Sequence, residues 1–282
     1  MTSSAPPPAA LPPLRLVATD LDGTVVRSDG SVSPRTRAAF EACRAAGVHV
    51  VAVTGRPPRW VTDLADVFGP VTVVCANGAL TYDLAEHRVV SARTIPAAVV
   101  LDAVAAVRTA LPGVAAAMET LEGFRHEPAY VPRYDAKRDP VTGTLEDLLA
   151  VDPGVVKLLL RAGDLPADVV LRAVRDAAGD IVEPTHSGMD GLVEVSARGT
   201  SKASALAALA DDLGIDASEV AAFGDMPNDL PMLRWAGRSY AMTGGHPEAV
   251  AAASALAPPC DDDGVARVVE QLLSERAGSP AP

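Results

Sequence analysis

The sequence predicts an α/β fold: a Rossmann-like parallel sheet core interrupted by an inserted α+β block. Three observations predict it. Nearly continuous apolar runs at 14–19, 48–53 and 71–75 alternate with helix-like stretches, as expected of strands buried on both faces of a parallel sheet. From about residue 80 the rhythm changes to hairpin-like and mixed segments. At Thr200 the helix–strand alternation resumes. The resulting division is a leader at 1–13, a discontinuous core at 14–82 and 193–277, an inserted block at 83–192, and a tail at 278–282.

The leader is rich in Pro, Ala and Ser and lacks the basic start and apolar run of a signal peptide, so it reads as disordered. The first strand, 14–19, leads into Asp20 and Asp22 before Gly23-Thr24 breaks the run. Ser33-Pro34 reads as an N-cap with proline at the first helical position, and that helix runs to about Ala46, where Gly47 stops it. The β-branched run 48–53 ends at Thr54-Gly55-Arg56. Pro57 and Pro58 open a second predicted helix to about Phe68, followed by a third buried strand, 71–75, ending at Asn77-Gly78.

In the inserted block, 80–82 and 88–95 read as a hairpin, 96–110 as a helix and 114–118 as a strand. The mixture of Pro, Gly, charge and aromatics at 122–144 gives no assignment. A strand at 155–161, a helix at 166–178 and strands at 181–184 and 192–196 follow. The core then returns with a helix at 201–213, capping-box spacing from Asp216 to Glu219, a strand at 220–223 ending at Gly224-Asp225, a helix near 228–236, a strand at 239–242 and a last helix at 265–275.

A chain of 282 residues with 49% hydrophobic residues can bury a real core, and its low aromatic content, 4%, points to helices packed through small side chains. The net charge of −12 disfavours nonspecific nucleic-acid binding and anionic membrane surfaces, without disfavouring a phosphate bound at a local cation. Cys43, Cys75 and Cys260 are widely spaced and unpaired in pattern, which with the absence of a signal peptide reads as reduced thiols in a cytoplasmic protein. No stretch approaches the roughly 20 apolar residues of a membrane span.

Four stretches lie where predicted strands end or helices begin: Asp20-Leu-Asp22-Gly-Thr24, Thr54-Gly55-Arg56, Lys202, and Gly224-Asp225-Met-Pro-Asn228-Asp229. Each alone reads as a turn, a solvated charge or a helix cap. Together they meet the needs of phosphoryl transfer: a nucleophile, a cation, donors for the remaining charge, and a proton donor for the leaving group. Asp20 and Asp225, with the backbone carbonyl of Asp22, suit Mg²⁺, which takes oxygen ligands and keeps several waters. The Thr54 hydroxyl and the Gly55 amide can donate to phosphate at a helix N-terminus, Lys202 can neutralise it, and Asp22 can protonate the leaving oxygen.

These motifs, in this order, resemble the haloacid dehalogenase (HAD) superfamily, and within it the Cof-like subclass IIB phosphatases, whose cap falls where 83–192 interrupts this chain. Asn77-Gly78-Ala79 and Asp263-Gly264-Val265 also look like that family. The resemblance covers roughly residues 14–275. It implies a HAD fold with a cap of the C2B type and a Mg²⁺-dependent phosphatase of small phosphorylated metabolites, sugar phosphates first. By it, Asp20 would form an aspartyl-phosphate, and Asp22 would act as acid and then as base. Asp20, Asp22 through its carbonyl and Asp225 would bind the metal. Thr54, Gly55, Lys202 and Asn228 would grip the phosphoryl group. Asp229 would support the metal through water or orient Lys202. The sequence departs from the family at Ala203, commonly Gly, and at Thr243-Gly244-Gly245-His246, often Met-Gly-Asn-Ala from the preceding residue; Pro227 should stiffen the fourth motif.

Other candidates stand outside the motifs. His126, His186 and His246 are candidate substrate ligands in the cap and loops, with solvated surface histidines as the plainer reading. Tyr130, Arg133, Tyr134, Lys137 and Arg138 form an aromatic and basic cluster, either a substrate grip or a solvated loop. Trp60 reads as a packing residue, and Met118, Glu119 and Glu122 as residues that could face the core site. Two further function classes remain open from sequence: a phosphomutase, and a noncatalytic phospholigand-binding protein on the same fold. Substrate identity and oligomeric state are not legible.

Overall fold

The computed structural model describes residues 12–69, 71–132, 140–188 and 191–278. The leader at 1–11, the cluster members Arg133, Tyr134, Lys137 and Arg138, and the tail at 279–282 lie outside the described residues.

The chain opens with β1 (Leu16–Thr19) and α1 (Pro34–Ala45), capped by the Ser33 side chain, which accepts from the Thr36 amide. Strand β2 (His49–Ala52) follows. The predicted helix after Pro57-Pro58 does not form as one unit. Residues Pro58–Trp60 and Thr62–Leu64 are 3₁₀ turns, and only α2 (Ala65–Phe68) closes as α-helix. Two consecutive prolines supply no N–H to an opening turn and hold it in the tighter geometry. Strand β3 (Thr72–Cys75) touches the parallel sheet through one parallel bridge, Val53 to Val74, and pairs mainly antiparallel with β4 (Leu80–Asp83), which pairs with β5 (Arg88–Ala92). The expected third parallel strand is therefore largely part of an antiparallel flap.

The insertion begins with α3 (Ala97–Ala110) and β6 (Ala115–Thr120). Within the unassigned stretch the structure finds β7 (Phe124–His126) and β8 (Val141–Thr142), and after it α4 (Leu145–Val151), capped by Thr144. Then come β9 (Val155–Arg161), α5 (Ala167–Ala178), β10 (Val182–Thr185) and β11 (Leu192–Ala197). The six strands form one sheet in the order β10-β11-β9-β6-β7-β8. The expected boundary between the insertion and the returning core, at 192/193, falls inside β11. This strand pairs antiparallel with β9 and β10 and belongs to the inserted sheet. An apolar strand reads the same in either sheet, so only its partners distinguish the two.

The chain returns with α6 (Lys202–Asp212), β12 (Val220–Gly224), α7 (Leu230–Trp235), β13 (Arg238–Met242), α8 (Pro247–Ala252), β14 (Ala255–Ala257) and α9 (Gly264–Gly278). Helix α8 and strand β14 were not anticipated. Ser201 and Ser204 form a reciprocal capping box at the start of α6, and Asp216 and Glu219 form another before β12.

The core sheet runs β14-β13-β12-β1-β2, all parallel. Alternation along β1 sends Val17 toward Phe40 and Val269, on α1 and α9, while Leu16 and Ala18 meet Leu206 and Met232, on α6 and α7. The inserted sheet is two-faced in the same way. Met118, Leu158, Leu160, Val193 and Val195 pack under the inserted helices with Val104 and Val170. Ala117, Leu159 and Leu192 take the opposite face with Tyr130. All three thiols are reduced, and burial pushes Cys43 and Cys260 up to about 11 and Cys75 up to about 12. No helix among the described residues is long and apolar enough to cross a membrane.

Candidate active site

The carboxyl ends of β1, β2 and β12 lie side by side, the position where open parallel sheets bind ligands. Asp20 follows β1, Thr54 follows β2, and Asp225 follows β12. Lys202 starts α6, is fully buried at 0% exposure, and reaches Asp20 Oδ1 and Asp229 Oδ1, both at 2.6 Å. The other oxygen of Asp229 accepts from the amides of Asp225 and Met226 at 2.9 and 3.0 Å. Asp229 thus orients both the lysine and the Asp225 turn, and a side chain on Gly224 would overlap it. Thr24 donates to Asp225 Oδ1 at 3.1 Å, and a Cβ on Gly23, whose φ is +76°, would lie 2.6 Å from Asp225 Oδ2.

The electrostatics follow from this crowding. Burial, partly offset by Lys202 and reinforced by Asp229 and Asp225, pushes the Asp20 carboxyl well above the usual range. Burial and the adjacent Asp229 push Asp225 up to about 7. Burial alone would lower Lys202, but Asp20 and Asp229 hold it above its ordinary value.

One oxygen each of Asp20, Asp225 and Asp229 lie within 4.8 Å of one another. Asp229 is committed to Lys202 and the two amides, so Asp20 and Asp225 are the carboxylates available to a cation. A donor set of one buried and one half-buried carboxylate, with their charge under-compensated, fits a hard divalent ion such as Mg²⁺.

Asp22 stands apart from that buried group. Its side chain is 61% exposed and both oxygens accept from Arg56, at 2.9 Å from Nε and 2.5 Å from Nη2. The Thr54 hydroxyl accepts from the Arg56 amide at 3.1 Å. Because residues 58–60 form a 3₁₀ turn, no α-helix N-terminus backs Thr54 and Gly55 as expected. Asn228 is buried and donates through Nδ2 to Asn77 Oδ1 at 3.1 Å, while its own Oδ1 is buried without a partner among the described residues.

A cavity of about 840 Å³ opens between these residues and the bare face of the inserted sheet. Asp20, Asp22, Thr54, Gly55 and Asn228 line its core side. Glu119, Lys157, Arg161 and Glu194 line the opposite side with Phe124, Tyr130 and Leu192. Arg59 clasps Glu119 across the gap at 2.6 and 2.7 Å.

Of the outlying candidates, Glu119 and Tyr130 face the cavity, and Arg161 lies over the Tyr130 ring at 5.3 Å. Trp60, expected in packing, lines the cavity as well. Met118 turns away into the core under the inserted helices, and Glu122 is exposed on the turn after β6. Lys157 and Arg161 were missed. Their signal is two cations four residues apart on one side of an otherwise apolar strand.

The histidines are not solvated surface groups. His126 and His186 are buried and His246 is half-buried. Nor do they line the cavity. His186 and His246 both bring Nε2 to Asp168, at 2.9 and 3.4 Å. Their Nδ1 atoms accept from the amides of Gly188 and Glu248. An Nδ1 that accepts leaves the proton on Nε2, so this trio is a hydrogen-bonded cluster and not a set of metal ligands. His246 belongs to the loop that departs from the family pattern, and its amide donates to the Asp225 carbonyl at 2.7 Å, so that loop forms part of the floor beneath Asp225.

The family model described as haloacid dehalogenase-like hydrolase matches residues 17–269. A 5-amino-6-(5-phospho-D-ribitylamino)uracil phosphatase of Escherichia coli (strain K12) is 29% identical over 281 residues, covering 94% of this chain and 98% of that protein. A phosphoglycolate phosphatase of Halorubrum lacusprofundi is 30% identical over 263 residues, covering 93% and 97%. Among solved structures, a phosphatase of the HAD superfamily from Bacteroides thetaiotaomicron superimposes with a TM-score of 0.78 at 21% identity, covering 96% of this chain and 99% of that one. A subclass IIB sugar phosphatase gives 0.75 at 22% identity, covering 91% and 98%. These structures share the fold. With all four motifs gathered at one end of the parallel sheet and the match running through both core segments and the insertion, the chain belongs to the haloacid dehalogenase-like hydrolases.

Proposed function

We propose that the chain is a phosphatase that hydrolyses small phosphorylated metabolites, sugar phosphates first, with Asp20 as nucleophile and Mg²⁺ as cofactor. The observation that carries this reading is the Asp20–Lys202–Asp229 arrangement at the floor of the cavity. One Asp20 oxygen is held at 2.6 Å by a fully buried lysine, which Asp229 holds in turn. Such a nucleophile is preorganised, and the positive charge beside it suits an incoming phosphoryl group. The cavity is of the size that takes a small metabolite. The relatives named above support the substrate class, since both act on small phosphate monoesters.

In this reading an Asp20 oxygen attacks phosphorus as the ester P–O bond breaks, and Asp22 gives its proton to the departing oxygen. Asp22 then takes a proton from water as that water attacks phosphorus, which releases phosphate and restores Asp20. Thr54, Gly55, Lys202 and Asn228 hold the phosphoryl oxygens. Asp20, Asp225 and the Asp22 carbonyl would hold Mg²⁺, which when bound neutralises phosphoryl charge.

The test is turnover of p-nitrophenyl phosphate and of a metabolite panel, with and without Mg²⁺, by the wild type and Asp20→Asn. Mg²⁺-dependent release of phosphate that Asp20→Asn removes is expected. No turnover would sink the reading, and an isomerised product without free phosphate would reassign the chain as a phosphomutase.

A further inference from the structure

Lys157 and Glu194 come from β9 and β11 of the inserted sheet, yet they end against the core. Lys157 Nζ donates to the Gly55 carbonyl at 2.7 Å and to Glu194 Oε1 at 2.9 Å. Glu194 Oε2 accepts from Asn77 Nδ2 at 2.8 Å, and Asn77 Oδ1 accepts from Asn228 Nδ2 at 3.1 Å. All four side chains in this chain of bonds are buried. It therefore runs from the inserted sheet to two residues of the phosphate grip.

The polarity of the chain is set at Glu194. An ionised carboxylate only accepts, so Asn77 must turn its NH₂ toward Glu194 and its oxygen toward Asn228. That oxygen in turn draws the Asn228 NH₂. A primary amide nitrogen carries two N–H groups, and Asn77 takes one, so the other remains to donate. Burial would raise Glu194, but Lys157 and Asn77 hold its carboxyl below the ordinary value, which keeps the acceptor ionised. The same lysine fixes the carbonyl of Gly55.

We propose that Lys157 and Glu194 are positioning residues for the phosphoryl grip: docking of the inserted sheet orients the Asn228 amide and the Gly55 backbone. This rests on the phosphatase reading for its purpose, but not for its test. Because the chain ends on residues that hold phosphate and not on the leaving group, its loss should be felt equally by every substrate.

Two variants separate this role from a structural one. Glu194→Gln removes the charge that sets the polarity. Asn77→Gly leaves the Lys157–Glu194 pair in place and cuts the link to Asn228. Asn77 sits at φ +56°, ψ 31°, a conformation glycine adopts without strain. Inorganic phosphate binding by calorimetry is measured beside kcat/KM for p-nitrophenyl phosphate, phosphoglycolate and a hexose phosphate, on variants whose melting is cooperative. Both variants should weaken phosphate binding about tenfold and lower all three kcat/KM values by a similar factor. Lys157→Met should lose affinity to a similar degree, and Lys157→Arg, which keeps the charge and donors, should lose less.

Unchanged phosphate affinity in a folded Asn77→Gly protein overturns the proposal. A loss that differs tenfold among the substrates also overturns it, since it would place these residues on the leaving group. If the wild type binds phosphate without turnover and the variants lose that binding, this inference survives and the phosphatase reading falls. A wild type that neither binds nor turns over phosphate overturns both.

Discussion

Both carboxylate oxygens of Asp22 are taken by one guanidinium, that of Arg56, two residues beyond Thr54 in the second motif. The acid proposed for proton transfer is thus aimed from the core side of the cavity, and Arg56 itself is steadied through Nη1 to the Trp60 carbonyl at 3.3 Å. To protonate a leaving oxygen Asp22 must give up one of these bonds, so Arg56 sets its resting direction. Arg56→Ala should lower kcat roughly 10–100-fold on an alkyl phosphate, whose leaving oxygen needs a proton. The effect should be several-fold smaller on p-nitrophenyl phosphate. Equal losses on the two substrates would show that Arg56 acts elsewhere.

Asp20→Asn and Asp22→Asn should fail differently. Asp20→Asn keeps the shape at Lys202 but removes the proposed nucleophile, so turnover should vanish while inorganic phosphate still binds. Asp22→Asn should slow both formation and breakdown of the phosphoenzyme, by about 10²–10⁴-fold overall. Rapid-quench measurement with a radiolabelled substrate checks both, and an unchanged kcat in Asp22→Asn would end its acid–base role.

Metal and pH should act on stability together. Asp225, lifted to about 7, and Asp20, lifted in the same direction, keep protons in the folded state that the unfolded chain releases near its ordinary 3.8. The folded state therefore binds more protons between about pH 4 and 7, and the metal-free protein should lose stability as pH rises through that window. For Asp225 alone the loss is bounded at about 4 kcal/mol. As the proposed cofactor Mg²⁺ would bind the ionised carboxylates, so it should raise the melting temperature at pH 8 and do little at pH 5. A Mg²⁺ effect that is larger at pH 5 would contradict this.

Gly78 joins two motifs by close approach. A Cβ there would lie 2.1 Å from the Ser201 carbonyl oxygen, and its φ is +98°. Gly78→Ala should cost roughly 2–4 kcal/mol through overpacking and backbone strain, read as a lower denaturation midpoint. It should also disturb the start of α6 and so lower phosphate affinity, whereas Gly47→Ala, whose Cβ meets nothing within 4 Å, should leave that affinity intact.

The motif residues were legible because their information is local. Asp20, Asp22, Thr54 and Asp225 each follow an apolar strand, and strand ends can be read from the chain. Lys157 and Glu194 were not, because their meeting depends on the register of β9 against β11, where Glu194 pairs with Leu159. The spacing of Lys157 and Arg161, four residues apart on one side of the strand, marks the face but not its partner. Likewise 57–68 has helical composition, yet two prolines without N–H donors break its opening into 3₁₀ turns. The boundary at 192/193 falls one residue into β11, because an apolar run carries no mark of which sheet it joins.

The buried thiols give the molecule its own chemical clock. Cys75 lies two residues before Asn77, and burial leaves almost none of it as reactive thiolate near neutral pH. Alkylation there requires opening of the flap formed by β3 and β4. Cys43 sits on the inner face of α1 in the same apolar layer, so it would be modified only when that helix lifts. The ratio of the two labelling rates distinguishes lifting of the β3–β4 flap from release of α1, in the native sequence and without an attached dye.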